Sequence, residues 1–440
     1  MRWLIRLLFE TLVRLFFPSR TVVGAERIPR SGPVIFVLNH PNGLLDPVLL
    51  RVAIGRRIAF LGKSTLFGNP FGRLAMEAFD GIPVFRQQDV AKGGGDTSRN
   101  EETFAKCREA LARSESLALF PEGVSHADAQ LKPLKTGAAR IALSAAAKDE
   151  RARAVTIVPV GLAYADRSVF RSAVVLVVGE PLAVRDHLEA YARDERPTVD
   201  ALTDTIRARL DDVVLQAETR EVLDGVARVA VWTATNPDIR DAPDEQQARA
   251  RELLEGYARL RERDAARVES ILREARSYAE ALEALGVVDP WEIEVGRVPV
   301  REALRVGLTL SLELPFAIVG VVLGWLPYRL AGIVAGRMAR EEDVLGTMKL
   351  LAGTLFIFVS WLVEAIVVAI TTRWWLGVAV FFAAPACGYI ALRFQETWIL
   401  MVAALRHLWL RRWERSTVER LAKRRRDLAD SVARALREAA

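Results

Sequence analysis

The sequence predicts an α/β fold: a mostly parallel sheet flanked by helices, then an all-helical region and C-terminal membrane segments. Three observations predict it. Residues 21–185 alternate short, apolar, β-rich runs with helical patterns, as expected of strands covered on both faces. From about 186 to 300 the chain turns polar and helical. Beyond residue 306 come apolar stretches long enough to cross hydrocarbon.

The first element is MRWLIRLLFETLVRLFFP. Arg2, Arg6, Glu10 and Arg14 fall four apart and form a polar stripe against Trp3, Leu4, Leu7, Leu8, Leu12, Leu15 and Phe16. Those charges interrupt any signal-peptide core, so residues 1–20 read as an amphipathic helix at a membrane interface, stopped near Pro18. The alternative is a helix packed on the domain's own core. In the α/β domain the expected strands are Val34–Leu38, Ile58–Leu61, Pro83–Phe85, Leu117–Phe120, Thr156–Val160 and Ala173–Val178. The expected helices are Leu44–Ile54, Asn100–Ser114 and Gly137–Ala147. Pro, Gly and Asn cluster after several strands, where α/β folds place their chemistry. Ala91–Thr97, with its three glycines, reads as a surface loop without phosphate-binding spacing.

In the polar region, Leu253, Leu254, Tyr257, Leu260, Val268, Ile271, Ala275, Tyr278 and Leu282 recur near helical spacing among dense charge, a helix with one buried stripe. The membrane region spans 301–400. Trp374–Leu392 is nineteen residues without a charge, and Leu351–Ile370 carries one, Glu364. Val306–Tyr328 carries Glu313 and is broken by Pro315, Gly320, Gly324 and Pro327.

Charge decides the expected topology. The net charge is +6, and residues 401–440 hold eleven Lys/Arg against five Asp/Glu, so this basic helical tail alone carries +6. Three crossings would set the tail opposite the α/β domain, against the positive-inside tendency. The expectation is therefore a hairpin of 351–370 and 374–392, with 306–336 re-entrant or interfacial. The α/β domain and tail would then share the cytoplasmic face of the cytoplasmic (inner) membrane. The basic balance points to anionic lipid, and no zinc pattern or aromatic–basic module supports nucleic acid. Two cysteines and four histidines among 440 residues indicate neither a disulfide framework nor a metal site.

The chemistry concentrates at strand ends. PVIFVLNHPNGLLD delivers His40 and, five intervening residues later, Asp46. A histidine serves as general base near neutral pH when a carboxylate holds its second ring nitrogen. The two side chains meet only if the intervening segment curls back as a turn. Otherwise His40 ends a strand and Asp46 caps the next helix. Further along, AFDGIPVFR ends on Arg86, LALFPEGVSH carries Glu122, Gly123, Ser125 and His126, and TIVPVGLAY carries Pro159.

Four ordered blocks across residues 35–161 resemble the glycerolipid acyltransferase family, which acylates glycerol-3-phosphate or 1-acylglycerol-3-phosphate. They are Asn39-His40…Asp46; Gly81, Pro83, Phe85 and Arg86; Phe120-Pro121-Glu122-Gly123 with Ser125; and Val158-Pro159-Val160. The commoner first block has four residues between His and Asp rather than five, which rotates a helical position by about 100°. The resemblance implies that His40 is the general base and that Asp46 orients it. Arg86 would bind the acceptor phosphate, and Glu122 and Gly123 would shape the acceptor site. Lys63 and Lys135 are further possibilities for an anionic group. The donor would be acyl-CoA or acyl-carrier protein, with no other cofactor, and the partners would be membrane lipids and a glycerophosphate acceptor. Competing readings are transfer to another lysolipid or an amino-acid lipid, and an inactive lipid-surface adaptor.

Overall fold

The computed structural model describes residues 2–68, 70–85, 100–236, 238–239, 242–287, 290–291, 300–339 and 342–439. Arg86 and the Ala91–Thr97 loop lie outside the described residues. The chain divides into two compact units. One comprises Met1–Leu223, Pro243–Gln247 and Glu341–Thr347, and the other Asp224–Ala242, Ala248–Arg340 and Met348–Ala440.

The first unit is built on an eight-stranded sheet: β1 (Arg20–Val23), β2 (Val34–Leu38), β3 (Ile58–Lys63), β4 (Ile82–Val84), β5 (Ser116–Leu119), β6 (Thr156–Tyr164), β7 (Val174–Val178) and β8 (Leu182–Ala183). The strand order is β1-β7-β6-β2-β5-β3-β4, with β8 paired to β6. β6, β2, β5, β3 and β4 run parallel, while β7 and β8 pair antiparallel to β6. The six expected strands all form. β1 and β8 were not anticipated, because two to four residues carry too little periodicity to announce a strand.

β2 is central and buried at every position. Helices cover the sheet: α2 (Leu45–Ile54), α3 (Pro70–Ala78), α4 (Asn100–Ala112) and α5 (Gly137–Lys148), with α6 (Leu188–Arg193) and α7 (Glu195–Asp211) following. Val199, Leu202, Ile206 and Leu210 of α7 join the core with Ile141, Ala142 and Ala145 of α5. The compact unit thus extends past the expected boundary at 185. α7's apolar stripe belongs to this core, which its surrounding charge concealed.

The N-terminal helix α1 (Arg2–Phe16) turns its polar stripe inward. Arg2 pairs with Glu77 at 2.7 Å, Glu10 with Arg51 at 3.0 Å, and Arg6 Nε donates to the Ala78 carbonyl at 2.8 Å. Trp3, Leu4, Leu7, Leu8 and Leu15 are left exposed, while Val13 and Phe16 are buried. An amphipathic helix ordinarily turns its apolar side to the protein; α1 instead half-buries Arg6 and Glu10 there, while Arg2 and Arg14 stay exposed. Asp80 ties the same corner together. Burial works to raise its pKa, but the Arg57 hydrogen bond and the charges of Arg57, Arg6 and Arg51 outweigh it and hold the carboxyl below its usual value.

The second unit is helical. α8 (Arg220–Trp232) leads to α9 (Pro243–Arg263) and α10 (Ala265–Ala284). Then follow α11 (Val300–Met338), α12 (Glu342–Thr371), α13 (Trp374–Trp413) and α14 (Arg415–Ala439). Among the described residues three stretches are long and apolar enough to cross a membrane: Ala303–Met338, Leu345–Thr371 and Trp374–Leu410. The expected break in 306–336 does not occur. α11 runs through Pro315 and Pro327 as one helix and packs along α13, with Gly320 against the Cys387 backbone.

α14 is not simply a solvated basic tail. Its buried stripe of Val418, Leu421, Leu428, Val432 and Ala435 faces protein. Ala435 and Ala439 pack against Leu260 of α9 and Val268 of α10, and Arg424 donates to Ser277 at 2.8 Å. Arg425 is buried, lies over the Trp291 ring at 3.9 Å and donates to the Trp232 carbonyl.

Candidate active site

The parallel register brings the C-terminal ends of β2, β5, β3 and β4 to one edge, in that order. The chain leaves β2 toward β3 but leaves β5, through α5, toward β6 on β2's other side. A crevice at such a switch point is where open α/β sheets bind ligands.

At the end of β2 the segment between His40 and Asp46 does curl back. Leu45 N and Asp46 N both donate to the Asn42 carbonyl, at 2.9 and 3.4 Å, and Gly43 has φ +36°. This turn absorbs the extra residue, and Asp46 enters the first turn of α2. His40 Nδ1 lies 2.8 Å from Asp46 Oδ2. The same oxygen accepts from Asn42 N at 2.8 Å, and Oδ1 accepts from the Tyr164 hydroxyl at 2.5 Å. Asp46 is wholly buried, and a buried carboxylate is tolerable only when donors surround it.

Tyr164 keeps its proton. Burial foremost, then the Asp46 charge, push its phenol well above the usual value, so it remains a donor throughout the working pH range. Behind it lies the ring of Phe17 at 5.1 Å, just past the end of α1. Asn42 is also clamped from outside. Its Nδ2 donates to the Arg167 carbonyl at 2.8 Å. Gly346, near the start of α12, approaches so closely that a Cβ there would lie 2.9 Å from Asn42 Oδ1 and 2.7 Å from Arg167 O.

His40 is partly exposed, its ring stacked on Phe120 with centroids 3.8 Å apart. With Nδ1 on Asp46, Nε2 is the nitrogen directed away from the carboxylate. The Phe120–Gly123 turn after β5 closes with Gly123 N on the Phe120 carbonyl and Gly123 at φ +75°, a conformation open to glycine at little cost. Glu122 is buried. Its Oε2 accepts from His126 Nε2 at 2.5 Å and from Lys132 N at 2.7 Å. Its Oε1 has no hydrogen-bond partner among the described residues. The two strand ends are joined directly, because His126 N donates to the His40 carbonyl at 3.1 Å.

Two family models match the chain: Acyltransferase over residues 19–163, and the Glycerol-3-phosphate acyltransferase 2 C-terminal domain over residues 243–440. Together the two matches support a place in the glycerolipid acyltransferase family. The chain is 24% identical to the Saccharomyces cerevisiae Glycerol-3-phosphate O-acyltransferase 1 over 97% of its own length and 69% of that protein. It is 29% identical to Glycerol-3-phosphate O-acyltransferase 2 of the same yeast, over 62% of its length. The chain spans only 39% of that second relative. Among solved structures, the 1-acyl-sn-glycerophosphate (LPA) acyltransferase PlsC of Thermotoga maritima is similar with a TM-score of 0.33 and 18% identity, over 48% of this chain and 81% of that one.

Of the site residues expected from the sequence, His40, Asp46, Glu122 and Gly123 come together. Lys135 joins them partly: its backbone N donates to Pro121 O at 2.7 Å, and its Cγ lies 3.6 Å from where a Gly123 Cβ would stand. Lys63 is exposed at the end of β3 on the same edge. Arg86 falls outside the described residues, but Asn100 grips the residue before it, accepting from Phe85 N at 3.0 Å and donating to Phe85 O at 2.8 Å. Among the described residues no group of three or more His, Cys, Asp or Glu could hold a metal ion. Sequence reasoning missed Tyr164 and gave His126 no role. His126 had a local signal, four residues from Glu122. Tyr164 is 118 residues from Asp46 and had none.

Proposed function

We propose that this protein transfers a fatty acyl group from acyl-CoA or acyl-carrier protein to a hydroxyl of glycerol-3-phosphate or 1-acylglycerol-3-phosphate, with no further cofactor. The observation that carries the reading is the His40–Asp46 pair, its carboxylate fully hydrogen-bonded and Nδ1 engaged by it, which leaves Nε2 as the ring nitrogen for an acceptor. His40 Nε2 takes the hydroxyl proton as the oxygen attacks the thioester carbonyl. The tetrahedral intermediate then expels the thiolate, which recovers that proton from the imidazolium. Arg86 binds the acceptor phosphate, Lys63 and Lys135 offer charge to anionic groups, and Glu122 with Gly123 shapes the acceptor site. The glycerol-3-phosphate acyltransferase relatives and the matched C-terminal domain favour glycerol-3-phosphate as acceptor.

Membranes carrying the protein, offered both acceptors and both donors, test this directly by mass analysis of the products. Transfer to neither acceptor refutes it. Arg86→Ala should raise the KM of the phosphorylated acceptor on the order of tenfold or more, the scale of a lost charge-assisted bond. An unchanged KM removes Arg86 from the site.

The exposed apolar side of α1 and the three apolar helices support a membrane location, in this reading the cytoplasmic face of the inner membrane. An active site at the interface spares drawing the acyl chain through water, about 0.8 kcal/mol per CH₂. The α10–α14 contact favours an even number of crossings, since α10 precedes the apolar helices and α14 follows them. A hairpin of α12 and α13 satisfies this provided the unbroken α11 rests on α13 without completing a crossing of its own, with Gly346 holding the start of α12 beside Asn42.

Membrane-impermeant maleimide labelling of cells and inverted vesicles checks the topology in a Cys387→Ser background. Cys107 should stay silent, because burial pushes its thiol up to about 12. Thr372→Cys, between the two helices, should label from outside and Ser416→Cys from the cytoplasmic side. Labelling of both from the same side refutes the hairpin.

A further inference from the structure

The edge of the sheet carries a second imidazole–carboxylate pair, whose proton arrangement is opposite in purpose to the first. His126 Nδ1 accepts from Asp128 N at 3.2 Å, so the proton of the neutral ring sits on Nε2 and is donated to Glu122 Oε2 at 2.5 Å. Both nitrogens of this ring are engaged within the protein, and Asp128 Oδ2 also lies 3.5 Å from Nδ1. Its side chain is 10% exposed and that of Glu122 is 0%. Asp128 is in turn held by Lys132 Nζ at 3.2 Å, and Lys132 N supplies the second donor to Glu122 Oε2. One carboxylate oxygen is thereby saturated, while the other, Oε1, is buried with no donor among the described residues. His126 N also bonds the His40 carbonyl, so the residue that orients Glu122 is fixed to the residue bearing the base.

We infer that His126 is a positioning residue for acceptor binding: by saturating Oε2 it locks Glu122 so that Oε1 is presented to a hydroxyl of the acceptor beside His40. The inference rests on the acyltransferase reading and adds a residue to it. The hydroxyl that reacts gives its proton to His40, so the one held by Oε1 is an additional hydroxyl. Free glycerol-3-phosphate has one, and 1-acylglycerol-3-phosphate carries an ester there instead. Loss of His126 therefore weakens the first acceptor selectively and leaves the chemical step largely intact.

The test is steady-state kinetics on the full-length protein in membranes, with both acceptors at saturating acyl donor. His126→Ala should raise the KM for glycerol-3-phosphate on the order of tenfold, as expected for a displaced hydrogen bond to a charged group, with kcat changed by less than about threefold. The KM for 1-acylglycerol-3-phosphate should barely move. His126→Gln, whose amide nitrogen reaches the place of Nε2, should restore most of the affinity, which general loss of structure would not permit. The inference is overturned if His126→Ala leaves the KM for glycerol-3-phosphate unchanged, if it weakens both acceptors equally, or if His126→Gln is as impaired as His126→Ala. Those failures leave a wild-type enzyme that still acylates glycerol-3-phosphate. A wild type that acylates neither acceptor is a different result and removes the function itself.

Discussion

Replacement of His40 by alanine is expected to lower kcat by roughly 10²- to 10⁴-fold, the range supplied by a positioned general base. The fold should survive the change. His40 is partly exposed and its principal bond is to Asp46, which keeps two donors, Asn42 N and the Tyr164 hydroxyl, when the imidazole is gone. The stability cost is then on the order of 1 kcal/mol, small enough for the variant to remain folded and membrane-bound. Kinetics should be read beside a thermal melt of the same preparation. A folded His40→Ala protein that retains more than about a tenth of the wild-type kcat would place the base elsewhere, against the range above.

Asp46→Asn should cost kcat nearly as much, roughly 10²- to 10⁴-fold, with little change in substrate affinity. The aspartate accepts at both oxygens: His40 Nδ1 and Asn42 N at Oδ2, Tyr164 at Oδ1. An asparagine has one oxygen for three donors. If its NH₂ faces His40, it donates to Nδ1 and forces the ring proton onto Nε2, where a base must have a lone pair. If its NH₂ faces Tyr164, the hydroxyl can rotate to accept, and the tautomer is preserved. The imidazolium formed during transfer still loses its counter-charge. Either orientation depresses the chemical step, so the prediction does not depend on which is adopted. A near-normal kcat would show that Asp46 is only a helix-capping residue.

These two side chains show what could be read without coordinates. His40 and Asp46 lie in one short segment, and a Pro-Asn-Gly turn can bring them together, so the pair was legible. The same holds for Glu122 and Gly123 in the turn after β5. Tyr164 could not be found this way, because parallel pairing of β2 with β6 alone sets it beside Asp46. Nor could the inward polar stripe of α1. Periodicity separates its charged face from its apolar face but says nothing of which one meets the protein, and Arg51, Asp80 and Glu77 decide that. The continuity of α11 was misread for a related reason. Prolines within a long apolar helix need not end it when a neighbour such as α13 packs along its length.

By itself the sequence determined the strands that carry the site, the local turns that end them, the pairing of His40 with Asp46 and the apolar character of the C-terminal helices. Each is encoded within a few residues, by side-chain periodicity or by the conformational restriction of Pro and Gly. Only the tertiary structure decided that Tyr164 completes the donors of Asp46, that α1 offers its apolar side outward, and that the basic tail packs on α9 and α10. Those outcomes depend on groups brought together from distant elements of the chain, where burial leaves a charge stable only if a partner from another element happens to be there.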